Sequence, residues 1–247
     1  MFELTDYLIA IALFFGAIIY TSVGHAGASS YIAIMALFGI DAATIKPTAL
    51  TLNIAVASYS SYSYIKAKLY DLRLALPLIF GAIPTAYLGG MVNLPDEIYK
   101  PIVGVILLFS AYMFLFRKAT NETQSAACLG TSKKVAIGAS IGFLAGLTGT
   151  GGGIFLSPLV ILLGCTSAKS ASGTASLFIL FNSIFGLIGN AQSIGYLPNT
   201  IPLYLVFVLC GAFIGTRLGT KHFDNQKVRK ALALVLIIAG LKMIFTA

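Results

Sequence analysis

Six apolar runs, at 47–65, 74–94, 99–116, 172–190, 199–219 and 228–246, decide what this chain can fold into. Each holds about the 17–25 residues needed to cross roughly 30 Å of hydrocarbon. Inside a bilayer the backbone has no water to bond, so only helices and closed barrels can span it. The runs are continuous and lack the alternation of a lipid-facing strand, which leaves helices. Two longer tracts, 4–40 and 135–165, are each interrupted by glycines. Only 10% of the 247 residues are charged, against roughly 25% in soluble domains. The expected fold is an all-α polytopic membrane protein.

The apolar runs contain a duplication. The stretch from Gly81 to Gly89 reappears from Gly211 to Gly219, the break around Gly24 and Gly27 reappears around Gly149 and Gly152, and Thr48-Ala49 reappears as Thr174-Ala175. The loops between the copies carry opposite charge. Loop 66–73 holds Lys66, Lys68 and Arg73, while its counterpart 190–199 holds no base; loop 95–100 holds only Lys100, while 217–230 holds five bases. Basic loops stay cytoplasmic. Placing 66–73, 117–134, 164–171 and 217–230 inside accounts for 13 of the 16 bases and leaves Lys46, Lys100 and Lys242 outside. Both glycine-broken tracts must then begin and end on one side, as hairpins. The sequence predicts two inverted-topology repeats, each a glycine-broken helical hairpin plus three transmembrane helices. The first covers 1–118 and the second 133–247, with a cytoplasmic linker at 119–132 and the N-terminus outside, all forming one transmembrane domain.

Other classes fit poorly. Glu3 and Asp6 stand where a secretory signal would carry bases. Cys128, Cys165 and Cys210 lack metal-ligand spacing and read as packing residues. The net charge of +8 reflects orientation rather than nucleic-acid binding. No Gly-Lys-Ser/Thr follows the second glycine break, so it is not a phosphate loop. Only His25 and His222 are present, and no acid accompanies His25, so neither an enzyme nor a metal centre is expected, and no cofactor is implied. The expected partners are the lipid bilayer and a small anionic substrate. The sequence leaves monomer and homodimer both open.

Two glycine ridges, Gly138-Gly142-Gly146 and Gly211-Gly215-Gly219, are expected to bring helix backbones close together. The aromatic residues, 17 Phe and 12 Tyr, are expected mostly at the lipid face and the interfaces.

The two glycine breaks are the sharpest site candidates. The first contains Ser22, Gly24, His25, Gly27 and Ser29; the second contains Thr148, Gly149, Thr150, Gly151 and Gly152. Irregular backbone at membrane depth is tolerated only where protein buries it or it lines a wet cavity. Each break starts a new helix, near Ser29 and near Gly153, whose first amides lack helical partners. If the hairpin tips meet, two partly positive helix starts converge on a site suited to a small anion. Glycines that merely let the tips pack are the bland alternative.

The following helices supply hydroxyls at steps of three and four. Thr48, Thr51, Ala55, Ser58 and Tyr62 form one such face; Ser172, Ser176, Ile179 and Ser183 form another, with Thr174 as the counterpart of Thr48. Asn53 and Asn182 are amides at membrane depth. Such residues face a cavity or bond between helices. His25 either contacts an anion, carries a proton, or bonds a backbone carbonyl. All eight acids fall in loops or termini, which disfavours a cation site. Lys46 and Lys169 sit at the hairpin exits, where snorkelling competes with drawing anions into a vestibule.

With these residues assembled, the chain resembles the TauE/SafE sulfite-exporter family, also called the toluenesulfonate-uptake permeases. The resemblance is carried by Ser22-Val23-Gly24-His25-Ala26-Gly27-Ala28-Ser29, Ala33 to Gly39 and Lys46-Pro47-Thr48-Ala49 in the first half. In the second it is carried by Gly146 to Gly153 and Gly173-Thr174-Ala175-Ser176-Leu177. The first break carries His25 and Ala26 where the family is richer in glycine. The resemblance implies secondary transport of a sulfur-containing oxyanion or organosulfonate across the bacterial inner membrane, and rocking of the two halves around the site is expected to give alternating access. The residues expected at the substrate are Ser22, Gly24, His25, Gly27, Ser29, Thr48, Thr51, Thr148, Gly149, Thr150, Gly151, Gly152, Thr174 and Ser176. A carrier for another organic anion, an anion channel and a non-transporting subunit are the alternatives.

Overall fold

The computed structural model of the chain describes residues 2–116, 129–221 and 226–245. All of the regular structure among them is helical. Five helices come from the first half: α1 (Leu4–Ser22), α2 (Ala28–Leu37), α3 (Ala42–Lys66), α4 (Leu72–Met91) and α5 (Asp96–Phe116). Five come from the second: α6 (Thr131–Thr148), α7 (Gly153–Leu162), α8 (Ala168–Gly189), α9 (Ile201–Lys221) and α10 (Gln226–Phe245), with a 3-10 turn at Ala191–Tyr196 between α8 and α9. Every apolar run read from the sequence lies within or substantially overlaps one helix. The linker at 119–132 falls largely outside the described residues, as do His222 and Cys128; α6 already begins at Thr131.

Among the described residues, α1, α4, α8 and α9 are long and apolar enough to cross a membrane. The two glycine-broken tracts are asymmetric hairpins. Each pairs a long arm, α1 with 19 residues or α6 with 18, with a short arm of 10 residues, α2 or α7. At about 1.5 Å per residue the long arm covers a full bilayer core and the short arm half of one. The chain therefore turns at the end of the long arm and runs back before the short helix starts.

Helix pairing follows the small residues. A Cβ on Gly138 or Gly146 of α6 would strike the main chain of Leu78 or Ala86 in α4, and one on Gly81 or Gly89 of α4 would strike Val135 or Phe143 in α6. The α9 ridge does the same to α1, with Gly211, Gly215 and Gly219 against the carbonyls of Phe14, Ile18 and Ser22. Lipid tails give no hydrophobic drive between helices, so this backbone approach supplies dispersion contact that a larger residue would forbid. α3 packs on α8 and α5 on α10, where Gly104 and Gly240 each sit against the other's carbonyl.

Two lysines outside the basic loops cap helix ends. Lys242 Nζ donates to the carbonyls of Ala36 and Leu37 at 2.7 and 2.9 Å, closing α2. Lys46 Nζ donates to Gly90 and Val92 at 3.1 Å each, closing α4. A cation on the last carbonyls of a helix satisfies orphan acceptors and opposes the negative dipole end. Lys46 is only 6% exposed, so it is not a snorkelling residue.

The aromatic residues are less peripheral than their number suggests. Tyr20, Tyr31, Tyr64 and Tyr204 are fully buried. Cys165 is disulfide-bonded rather than a simple packing thiol, whereas Cys210 is free and exposed.

Candidate functional site

The first break begins where α1 ends at Ser22. Gly24 and Gly27 take φ of +78° and +110°, which side chains rarely adopt. A Cβ on Gly24 would also collide with the Ser172 backbone, so the turn lies flat on α8. Two serines of α8 hold it: Ser172 Oγ donates to Val23 O and Ser176 Oγ to Gly24 O, both at 3.0 Å. The chain then runs back to Asn53 of α3, whose Oδ1 accepts the first amide of α2 from Ala28 at 3.1 Å.

The second break follows Thr148, with Gly149, Gly151 and Gly152 at φ of +80°, +72° and +80°. Gly149 lies against Lys46 of α3. Tyr99 of α5 donates its hydroxyl to Thr148 O at 3.0 Å, and the hydroxyls of Thr148 and Thr150 are 3.0 Å apart. Gly151 packs against the Asn53 amide and Ser183, and Gly152 against Asn182 and Phe178. Larger residues would fill the space these amides occupy.

The two breaks meet between α3 and α8. His25 Nε2 is 2.9 Å from the carbonyl of Gly153, the first residue of α7, and His25 Nδ1 is 3.1 Å from Val23 O. Asn53 Nδ2 donates to Ser183 Oγ at 2.8 Å, joining α3 to α8 at the same junction. Asn53 thus bonds α2 through its oxygen and α8 through its nitrogen. Asn182 reaches Gly151 O only at 3.5 Å, and its buried Oδ1 has no partner among the described residues.

The sequence candidates divide into groups. Gly24, His25, Gly27, Gly151, Gly152 and Ser176 line the junction or hold its turns. Ser29, 2% exposed in the first turn of α2, lies beside the Tyr20 hydroxyl. Thr148, Gly149 and Thr150 sit at the far turn near Lys46. Ser22 and Thr51 bond carbonyls of their own helices, Ile19 and Pro47. Thr174 Oγ1 accepts the Asp71 amide at 3.1 Å at the start of α4, away from the breaks. Thr48 is fully buried and its hydroxyl has no partner among the described residues. The hydroxyl face of α8 is buried throughout, but that of α3 is not: Ser58 is exposed and Tyr62 is 63% exposed.

Buried polar groups among the described residues are hydroxyls, amides, one imidazole and the Lys46 ammonium, with no carboxylate. The short helices α2 and α7 start at this junction, and the first amides of a helix point outward from it. Asn53 occupies one such amide on α2. The arrangement therefore offers donors and positive dipole ends, which attract negative charge. The roles of Asn53 as a cap and Tyr99 as a tie were not visible in the sequence. The membrane-depth position of Asn53 was the one usable signal.

These features define an all-helical polytopic membrane protein with broken helices around a buried polar junction, the class of membrane transporters. The chain belongs to the TauE/SafE sulfite-exporter family, whose model matches residues 8–243. It is 36% identical over 244 residues to the probable membrane transporter protein y4hK of Sinorhizobium fredii, covering 96% of this chain and 97% of the relative. It is 27% identical over 261 residues to the probable membrane transporter protein YjnA of Bacillus subtilis, covering 96% and 98%. No solved structure matches it.

Proposed function

We propose that the protein is an inner-membrane secondary carrier for a small sulfur-containing oxyanion or organosulfonate. The observation that carries this reading is the meeting of the two glycine breaks, through His25 and Gly153, in a setting whose buried polar groups, among the described residues, include no carboxylate. The family name supports a sulfite-like cargo, and the relatives' names support transport.

Two inverted repeats of five helices would make the junction a pivot. Helix pairing supports that arrangement. Exchanging the halves turns the α1–α9 seam into α6–α4, and α3–α8 and α5–α10 into themselves. Gly104 and Gly240 touch reciprocally, as contact across a two-fold axis requires. The first turn leans on the start of α8 and the second on the start of α3, so each break faces a different end of the bundle. Rocking one repeat against the other would open the junction to alternate sides. The charge pattern supports a cytoplasmic linker and loop 66–73 and an N-terminus outside.

Counterflow in proteoliposomes tests the reading. Vesicles loaded with sulfite or an alkanesulfonate should accelerate entry of labelled substrate from outside. Uptake that ignores the trans substrate indicates a channel, and no uptake of any sulfur oxyanion removes the cargo assignment.

A further inference from the structure

A cavity of about 250 Å³ opens between the start of α3, the loop joining α4 to α5, and the 3-10 turn after α8. Its polar side is formed by Lys46, Asn190 and Ser193, and its apolar side by Leu94, Tyr99 and Tyr196. Among the described side chains, no carboxylate lines it.

Two donors on the lining residues are left short of acceptors among the described residues. Lys46 carries three N–H groups and gives two of them to Gly90 and Val92. Asn190 is 2% exposed; its Oδ1 accepts from Ser193 Oγ at 3.0 Å, while its Nδ2 is buried and has no partner among the described residues. An unpaired buried donor is costly, and an anionic acceptor beside the ammonium removes that cost. The cavity also touches the second break. Tyr99 ties it to Thr148, and the Lys46 stem lies against Gly149.

We propose that this cavity is an anion-capture site separate from the hairpin junction. It takes an oxyanion with a short apolar tail, the headgroup on Lys46 Nζ and Asn190 Nδ2 and the tail against Tyr99 and Tyr196. The inference rests on the anion-carrier reading and adds a second station to it, beside the second glycine break. A lipid phosphate shares the headgroup chemistry, so the test separates the two sources.

The experiment is calorimetric titration of the purified full-length protein in detergent with benzenesulfonate. Neutral phenyl methyl sulfone and phosphatidylglycerol micelles form the control arms. The wild type is expected to bind the sulfonate and not the sulfone. Asn190→Leu keeps the Lys46 caps on α4 and should weaken binding about tenfold, the loss of one hydrogen bond to a charged acceptor. Lys46→Met should remove the sulfonate binding that depends on Asn190 and leave any binding at the hairpin junction, and Lys46→Arg should retain both. Thermal unfolding identifies any variant that fails to fold, and Asn190→Leu alone then decides. Wild-type affinity in Asn190→Leu and Lys46→Met overturns the capture site, while intact counterflow keeps the carrier reading. Binding of phosphatidylglycerol but no soluble anion also overturns it. Loss of counterflow in wild-type vesicles that still bind benzenesulfonate strikes the carrier reading alone.

Discussion

His25 Nε2 lies 2.9 Å from the carbonyl oxygen of Gly153, 128 residues further along the chain, and joins the two glycine breaks directly. The other ring nitrogen lies 3.1 Å from the Val23 carbonyl. A neutral imidazole donates from one nitrogen only, so it serves one of these acceptors and turns a lone pair towards the other. The imidazolium serves both. Protonation therefore strengthens the tie between the hairpins, and loss of the proton loosens it.

Transport should depend on this tie. His25→Ala removes both bonds and should lower the maximal rate several-fold, because the tips lose their register. Uptake by proteoliposomes measures it. A variant with the wild-type rate at every pH would show that His25 plays no part.

The glycine positions separate strain from space. Gly24 and Gly39 take nearly the same φ, +78° and +77°, but a Cβ at Gly24 meets Ser172 whereas one at Gly39 meets nothing within 4 Å. Gly39→Ala should cost only the left-handed strain, about 1–2 kcal/mol. Gly24→Ala adds a backbone collision and should cost more than about 3 kcal/mol. Thermal unfolding in detergent ranks the two, and equal shifts would mean that the first turn is free to move off α8.

Asn53 bonds the first amide of α2 and the Ser183 hydroxyl on α8. Asn53→Ala should lose about 1 kcal/mol for the cap and about 0.6–1.7 kcal/mol for the interhelical bond. Ser183→Ala should lose only the latter. A double-mutant cycle on unfolding free energies should return a coupling of about 0.5 kcal/mol or more. Additive effects would break the proposed link between α3 and α8.

The parts of the fold legible in the sequence were those set by local pattern. Apolar runs marked the helices, and Gly24, Gly27, Gly149 and Gly152 marked the breaks, because positive φ is a property of one residue. The long-range partners were hidden. Lys46 looked like an interfacial lysine because its acceptors, Gly90 and Val92, lie at the far end of another helix. Thr48 and Thr174 looked equivalent by repeat position, yet only Thr174 takes the Asp71 amide, since the loop before α4 folds onto α8. The face from Thr48 to Tyr62 keeps helical spacing but turns outward at Ser58 and Tyr62 while Ser60, Ser61 and Tyr64 take the buried side, which periodicity alone does not report.

Membrane orientation supplies the remaining prediction. The proposed inverted arrangement would set Lys68, between α3 and α4, in the cytoplasm and Ser193, after α8, outside, although both follow corresponding helices. Single cysteines at Lys68→Cys and Ser193→Cys, in a chain whose native cysteines are replaced by serine, report the side directly. A membrane-impermeant maleimide applied to intact spheroplasts should label position 193 and should reach position 68 only after permeabilisation. The bases at Lys66, Lys68 and Arg73 against none at 190–199 make this the favoured sense of insertion. Labelling of both positions from one side would show that the halves run parallel, and the pivot drawn from the α1–α9 and α4–α6 seams would then be lost.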